Sequence, residues 1–192
     1  MILGVLGSGS GSNLQAILDA IDQGLLDARV ALVLSDRADA FILERAKNHG
    51  IPAGVIDCRG CRNRFPDEAQ HETVMRLRES GVELVCLAGF MRLIKQPLLD
   101  AYPQRILNIH PSLLPTFPGR EAWKQALVAG VKETGCSVHF VDEGTDTGPV
   151  ILQERVPVLA DDTPESLHAR IQQAEHRAYP EALRRIMAAS SQ

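Results

Sequence analysis

Short, largely apolar runs recur along the first half of the chain at residues 2–7 (ILGVLG), 29–35 (RVALVLS), 54–57 (GVID), 84–88 (LVCLA) and 106–109 (ILNI). They lack a 3.6-residue period and end in turn residues, as strands covered on both faces do. Helical patterns lie between them. Leu14, Ile17, Leu18 and Ile21 form an i, i+3, i+4, i+7 stripe that closes near Gly24. Residues 40–48 predict a second helix, with Asp39 placed to cap it and Gly50 to end it. Residues 66–80 predict a third, stopped by Gly81.

After Gly119 the rhythm changes. Residues 122–128 predict a short helix, residues 135–141 a half-exposed strand of alternating character, and residues 150–158 its partner. Thr163, as cap, and Pro164, at the first helical position, open a last helix. Its stripe is Leu167, Ile171, Ala174 and Ala178, and Pro180 is expected to kink it. Together these elements predict an α/β, Rossmann-like fold. A mostly parallel twisted sheet would carry helices on both faces, followed by a C-terminal antiparallel strand pair and a long helix. The 192 residues, without repeat or linker, read as one domain over 1–192.

The composition, 45% hydrophobic and 23% charged with a net charge of −4, is that of a globular protein. It argues against a surface that grips long nucleic acid; the densest cationic cluster is Arg59, Arg62 and Arg64. The apolar start is too short and uncharged for a signal peptide, and no segment approaches the ~20 apolar residues of a membrane span. A cytoplasmic protein acting on small molecules is expected. Cys86 and Cys136 sit in apolar runs and read as buried. Cys58 and Cys61 have metal or redox spacing, but no second ligand pair is evident, so they read as loop residues and no metal is expected.

Three polar constellations carry candidate chemistry. Residues 7–13 (GSGSGSN) join the first strand to the first helix, where glycines and a helix N-terminus suit a phosphate. A dinucleotide fingerprint fits Gly7 and Gly9 but finds Ser12 where the third glycine belongs. Asp36, at the end of the second strand, would suit a ribose hydroxyl, so an NAD(P)-dependent oxidoreductase stays open, as does a non-catalytic binder of phosphorylated metabolites. The second constellation is Asn108 and His110, two residues apart at a strand end before a proline-rich loop. They share a face, where an amide could hold an oxyanion while the imidazole moves a proton. The third is residues 142–151 (DEGTDTGPVI), after a strand carrying His139; one carboxylate there would suffice to orient and charge a histidine.

Six segments in order extend this picture: GSGSNLQAI (9–17), LAGFMRL (87–93), NIHPSLLP (108–115), SVHFV (137–141), DTGPVILQ (146–153) and AEHRAYP (174–180). With them the sequence resembles the phosphoribosylglycinamide formyltransferases of purine biosynthesis over nearly its whole length. The resemblance implies formyl transfer from 10-formyltetrahydrofolate to the amine of glycinamide ribonucleotide, with Asn108, His110 and Asp146 as the catalytic trio. It assigns the substrate phosphate to Gly11, Ser12 and Asn13. Gln172, Gln173, Ala174 and Glu175 would contact the same ribonucleotide. The folate falls to Arg64, Met91, Arg92, Leu93 and Ile94, with Asn108 and the loop Asp142, Glu143, Gly144, Thr145 and Asp146. The tRNA-binding domain of methionyl-tRNA formyltransferases and the regulatory domain of formyltetrahydrofolate hydrolases are not expected. The segment after Gly119, often histidine-bearing in the family, reads Arg120-Glu121-Ala122-Trp123, so no histidine-based ordering is expected there.

Changing both Cys58 and Cys61 to Ser is expected to leave formyl transfer within a few-fold of the parent. Collapse of activity in a turnover assay, or stoichiometric zinc in the purified protein, would show that the pair has a role.

Overall fold

The computed structural model describes residues 1–61 and 64–190; Arg62 of the cationic cluster lies outside the described residues. The elements are β1 (Ile2–Leu6), α1 (Ser12–Asp22), β2 (Arg29–Ser35), α2 (Phe41–Asn48), β3 (Ala53–Val55), α3 (Asp67–Glu79), β4 (Leu84–Leu87) and α4 (Gln96–Ala101). They continue with β5 (Ile106–His110), α5 (Ala122–Val128), β6 (Glu133–Phe140), β7 (Val150–Pro157) and α6 (Pro164–Ser190). The strand order is β3-β2-β1-β4-β5-β6-β7. β1 pairs parallel with β2 and β4, β2 pairs parallel with β3, and β6 pairs antiparallel with β7. Helices lie on both faces, as the alternation predicts. The chain divides into two compact units, Met1–Leu107 and Asn108–Gln192.

In the first unit, Leu3, Val5 and Leu6 of β1, Val33 and Leu34 of β2, and Val85 and Cys86 of β4 are completely buried. Continuous apolar strands can persist only where both faces are covered. α1 buries Leu14, Ile17 and Leu18 of its stripe, while Ile21 is half-buried near the helix end. Asp39 does not cap α2: both of its oxygens accept from Arg37, Nε at 3.1 Å and Nη2 at 2.9 Å. A guanidinium two residues away offers two charge-assisted bonds where the helix end offers one. Gly50 does close α2, at φ 66°. α4 covers residues to which the sequence pattern assigned no element. Its start is held from afar: Gln70, completely buried, accepts the Lys95 N–H at 2.9 Å and donates to the Phe65 carbonyl at 3.0 Å.

In the second unit, α6 packs on β6 and β7 through Leu167, Ile171, Ala174 and Ala178, with Tyr179 and Leu183 completing the buried stripe. Its N-terminus is capped reciprocally: Thr163 Oγ1 accepts the Ser166 N–H at 3.2 Å and Ser166 Oγ accepts the Thr163 N–H at 3.0 Å. Arg170 grips Asp162 with two bonds of 2.7 and 2.8 Å and donates to the Pro157 carbonyl at the end of β7. The helix is assigned without a break through Pro180. β6 is not half-exposed: all but its end residues are buried. Its alternating polar side chains face a protein surface, the loop after β5. Ser137 Oγ donates to the Ser112 carbonyl at 2.6 Å and accepts the Leu114 N–H at 3.0 Å. Gln153 of β7 donates to the Leu114 carbonyl at 2.9 Å. Among the described residues, no helix is long and apolar enough to cross a membrane.

Trp123, the single tryptophan, stacks on His168 of α6 with ring centroids 3.8 Å apart and planes 6° from parallel. Burial holds the His168 pKa below its ordinary value of 6.5. The unfolded chain therefore takes up a proton as pH falls through 6.5 while the folded ring stays neutral, so this group's contribution to stability is lost on acidification. His168→Gln should lose less stability between pH 7 and pH 5 than the parent, measured by thermal unfolding at each pH. An equal loss in both proteins would show that the stack does not couple folding to that proton.

Candidate active site

β5 places Asn108 and His110 on one face, and the loop after β6 brings Asp146 to both. One Asp146 oxygen, Oδ2, lies 3.3 Å from His110 Nδ1; the other, Oδ1, accepts from Asn108 Nδ2 at 3.4 Å. Oδ2 also accepts the Gly119 N–H at 2.9 Å, which ties the proline-rich loop to the same carboxylate. The His110 and Asp146 side chains are 5% and 12% exposed, so their attraction is little screened by solvent. His110 Nε2 donates to the Phe117 carbonyl at 2.8 Å. Both ring nitrogens thus face oxygen acceptors.

The loop that delivers Asp146 is held by its own short bonds. Asp142 Oδ1 accepts the Gly144 N–H at 3.1 Å and the Thr147 hydroxyl at 2.7 Å. Glu143, Gly144 and Thr145 form an exposed tip. Asp146 itself sits in the left-handed region at φ 57°, a conformation that costs a non-glycine residue energy and needs its surroundings to hold it. Gly148 permits the close return of the chain: a Cβ there would fall 1.8 Å from the Phe140 carbonyl oxygen.

His139 is a member of this cluster that the sequence presented simply as a residue of the preceding strand. Nearly fully buried, it donates from Nδ1 to the Phe140 carbonyl at 2.8 Å, which leaves Nε2 to accept from Asn108 Nδ2 at 3.2 Å. Desolvation dominates its titration and pushes its pKa below the ordinary value, so the ring remains a neutral acceptor. Asn108 therefore has its amide oriented by two partners, His139 and Asp146. The sequence signal was the position of His139 on a strand adjoining the acidic loop. The segment without histidines, residues 120–123, is organised by other groups: Gln125 donates to the carbonyls of Pro118 and Arg120, and Trp123 supplies the stack on His168.

Of the residues on α6, Glu175 is a buried carboxylate, Ala174 lies in the core stripe, Gln172 is half-buried and Gln173 is exposed. A glutamate is seldom fully buried unless it is paired.

In the first unit, Gly11 ends the glycine loop at φ 69° and is the N-cap of α1, with no side-chain cap. A Cβ on Gly11 would meet the Ile42 side chain at 2.6 Å, so α2 sits directly against the loop. The first turn of α1, starting at Ser12 and Asn13, leaves backbone N–H groups that suit an anion. The loop is joined to the segment after β4: the Ser8 N–H donates to the Gly89 carbonyl at 3.1 Å and Ser8 Oγ accepts the Met91 N–H at 2.9 Å. Met91 and Leu93 are large apolar side chains left 64% and 54% exposed, while Ile94 is buried. Arg64 is exposed. Asp36 is not available to a ribose, because its Oδ2 accepts from Arg92 Nε at 2.6 Å in a buried pair. Among the described residues no group of histidine, cysteine or acidic side chains could hold a metal ion, and the four cysteines are free thiols.

Residues 1–183 match the formyl transferase family. The chain is 43% identical over 183 residues to the phosphoribosylglycinamide formyltransferase of Bacillus subtilis, covering 95% of this chain and 93% of that protein. It is 49% identical over 181 residues to the trifunctional purine biosynthetic protein adenosine-3 of Drosophila melanogaster. That match covers 93% of this chain but spans 13% of that much longer protein. The crystal structure of glycinamide ribonucleotide transformylase 1 from Symbiobacterium toebii superposes with a TM-score of 0.92 at 55% identity, over 96% of this chain and 86% of that one. The chain belongs to the formyl transferase family and, within it, to the phosphoribosylglycinamide formyltransferases.

Proposed function

We propose that this protein transfers a formyl group from 10-formyltetrahydrofolate to the amine of glycinamide ribonucleotide, as a cytoplasmic enzyme of purine biosynthesis. The observation that carries the reading is the Asp146 carboxylate, which meets Asn108 and His110 with one oxygen each. In the reaction the amine nitrogen bonds to the formyl carbon and a tetrahedral oxyanion develops. The bond from that carbon to folate N10 then breaks, N10 gains a proton and the attacking nitrogen loses one. No covalent enzyme intermediate is required.

Each member of the trio has a task in that sequence. The Asn108 N–H that meets Asp146 at 3.4 Å, the longer of its two bonds, and the His110 Nε2–H are assigned to the oxyanion, each exchanging its present acceptor for it as the negative charge develops. The contact between His110 Nε2 and the Phe117 carbonyl oxygen supports this reading, because the same N–H can exchange one oxygen acceptor for another. His110 then carries the proton between nitrogen atoms, and the Asp146 charge supports the positive ring that forms in transit. Gly11, Ser12 and Asn13 hold the substrate phosphate in this reading, and Gln172 to Glu175 serve the remainder of the ribonucleotide. Arg64, residues 91–94, Asn108 and residues 142–146 serve the folate; the exposed apolar Met91 and Leu93 suit a flat heteroaromatic ring system.

The direct test is an assay with purified protein, glycinamide ribonucleotide and 10-formyltetrahydrofolate. Turnover is expected without ATP and after exhaustive chelation; dependence on either would reject the mechanism. Asp146→Asn should reduce kcat by about two orders of magnitude or more while the melting transition stays cooperative. Because His110 and Asp146 serve one proton transfer, the variant altered at both should be little worse than the poorer single variant. Losses that multiply across the double-mutant cycle would show that the two act separately.

A further inference from the structure

We propose that Arg92 is a positioning residue for the formyl donor, acting through its guanidinium on the segment that carries Arg64. The proposal rests on the assignment of Arg64 and residues 91–94 to the folate in the preceding subsection.

The guanidinium is nearly enclosed by protein: the Arg92 and Asp36 side chains are 9% and 7% exposed. Nε donates to Asp36 Oδ2 at the C-terminal end of β2. Nη1 donates to the carbonyl of Cys61 at 2.8 Å and also to the carbonyl of Arg64. One planar side chain therefore fastens three points: the end of a core strand and two carbonyls three residues apart in the loop between β3 and α3. The backbone beside Arg92 is fixed as well, since the Met91 N–H is held by Ser8 Oγ at 2.9 Å.

This arrangement ties the backbone of Arg64 to that of Met91 while leaving the Arg64, Met91 and Leu93 side chains facing solvent. A cation and an apolar surface are thereby held in one orientation before any ligand arrives. Preorganisation of this kind raises affinity by removing the ordering cost of binding. Asp36 supplies the anchor and the counter-charge, which is why it is buried with a cation instead of facing a ligand. Lysine could keep the ion pair as a point charge. It lacks the rigid fork that reaches a carboxylate and the two carbonyls together.

Two variants test the idea. Arg92→Lys keeps the charge pair; the double variant Arg92→Met with Asp36→Asn removes both charges, so neither is stranded in the interior if the lysine variant folds poorly. Binding is read by calorimetry with a stable 5,8-dideaza analogue of the formyl donor and, separately, with glycinamide ribonucleotide. Either variant should weaken analogue binding about tenfold and raise the donor KM to match. The ribonucleotide Kd and kcat at saturating donor should stay within about threefold, the split expected of a residue that orders a ground-state site. Unchanged analogue affinity in a folded variant would overturn the inference and leave the pair a purely structural one. Equal weakening of both ligands would overturn it too. If the parent itself failed to bind the analogue, the folate reading would fall, and this inference with it.

Discussion

The Asp146 carboxylate is the point on which the second unit converges. Two oxygens serve three donors: His110, Asn108 and the Gly119 N–H. Each contact is modest, but the group is buried, so an unmatched charge there would be costly. The surrounding structure can be understood as the means of keeping that carboxylate in place. Gly148 lets the loop turn back tightly, Asp142 closes the loop from within, and the strained backbone of Asp146 persists because its side chain is held on both sides.

Several interior polar side chains of this protein bridge segments that are far apart in sequence. Gln70 joins α3 to the start of α4, Ser137 joins β6 to the loop above it, and Arg92 joins three segments of the first unit. These side chains link elements distant in sequence. Removing either partner of the Asp36–Arg92 pair would leave the other charge buried, at a cost of about 3–5 kcal/mol. The loops that face a ligand in the proposed function therefore rest on directional bonds, which fix orientation in a way that hydrophobic contact does not.

How far the sequence could be read follows from the same distinction. The bounds of β2 and α5 are those the pattern predicts, and the α6 stripe is buried at every expected position, because local periodicity reports burial on a face. Asn108 and His110 could be nominated because a two-residue spacing on a strand end is itself geometric, whereas the acidic loop left its carboxylates open and the family resemblance alone singled out Asp146. What could not be read depends on distant partners. α4 is short and anchored by Gln70; Asp39 is drawn from its helix by Arg37; β6 is covered by a loop no periodicity describes. Nothing near Asp36 in sequence announces that Arg92 will occupy it, and nothing near His139 announces that it will orient Asn108.

The distribution of thiols has a practical consequence for spectroscopy. Cys86 and Cys136 are completely buried, and desolvation pushes the Cys136 thiol up to about 12, far from any reactive thiolate at neutral pH. Cys58 is nearly enclosed as well, and its thiol is likewise raised by burial. Cys61 alone among the four is partly open to solvent, and its backbone carbonyl is one of the two that Arg92 holds. A maleimide dye or spin label added to the native chain would attach there first. The protein thus carries a built-in attachment point on the loop that Arg92 holds, and probe mobility at that one position would report the loop's order directly, without an engineered cysteine.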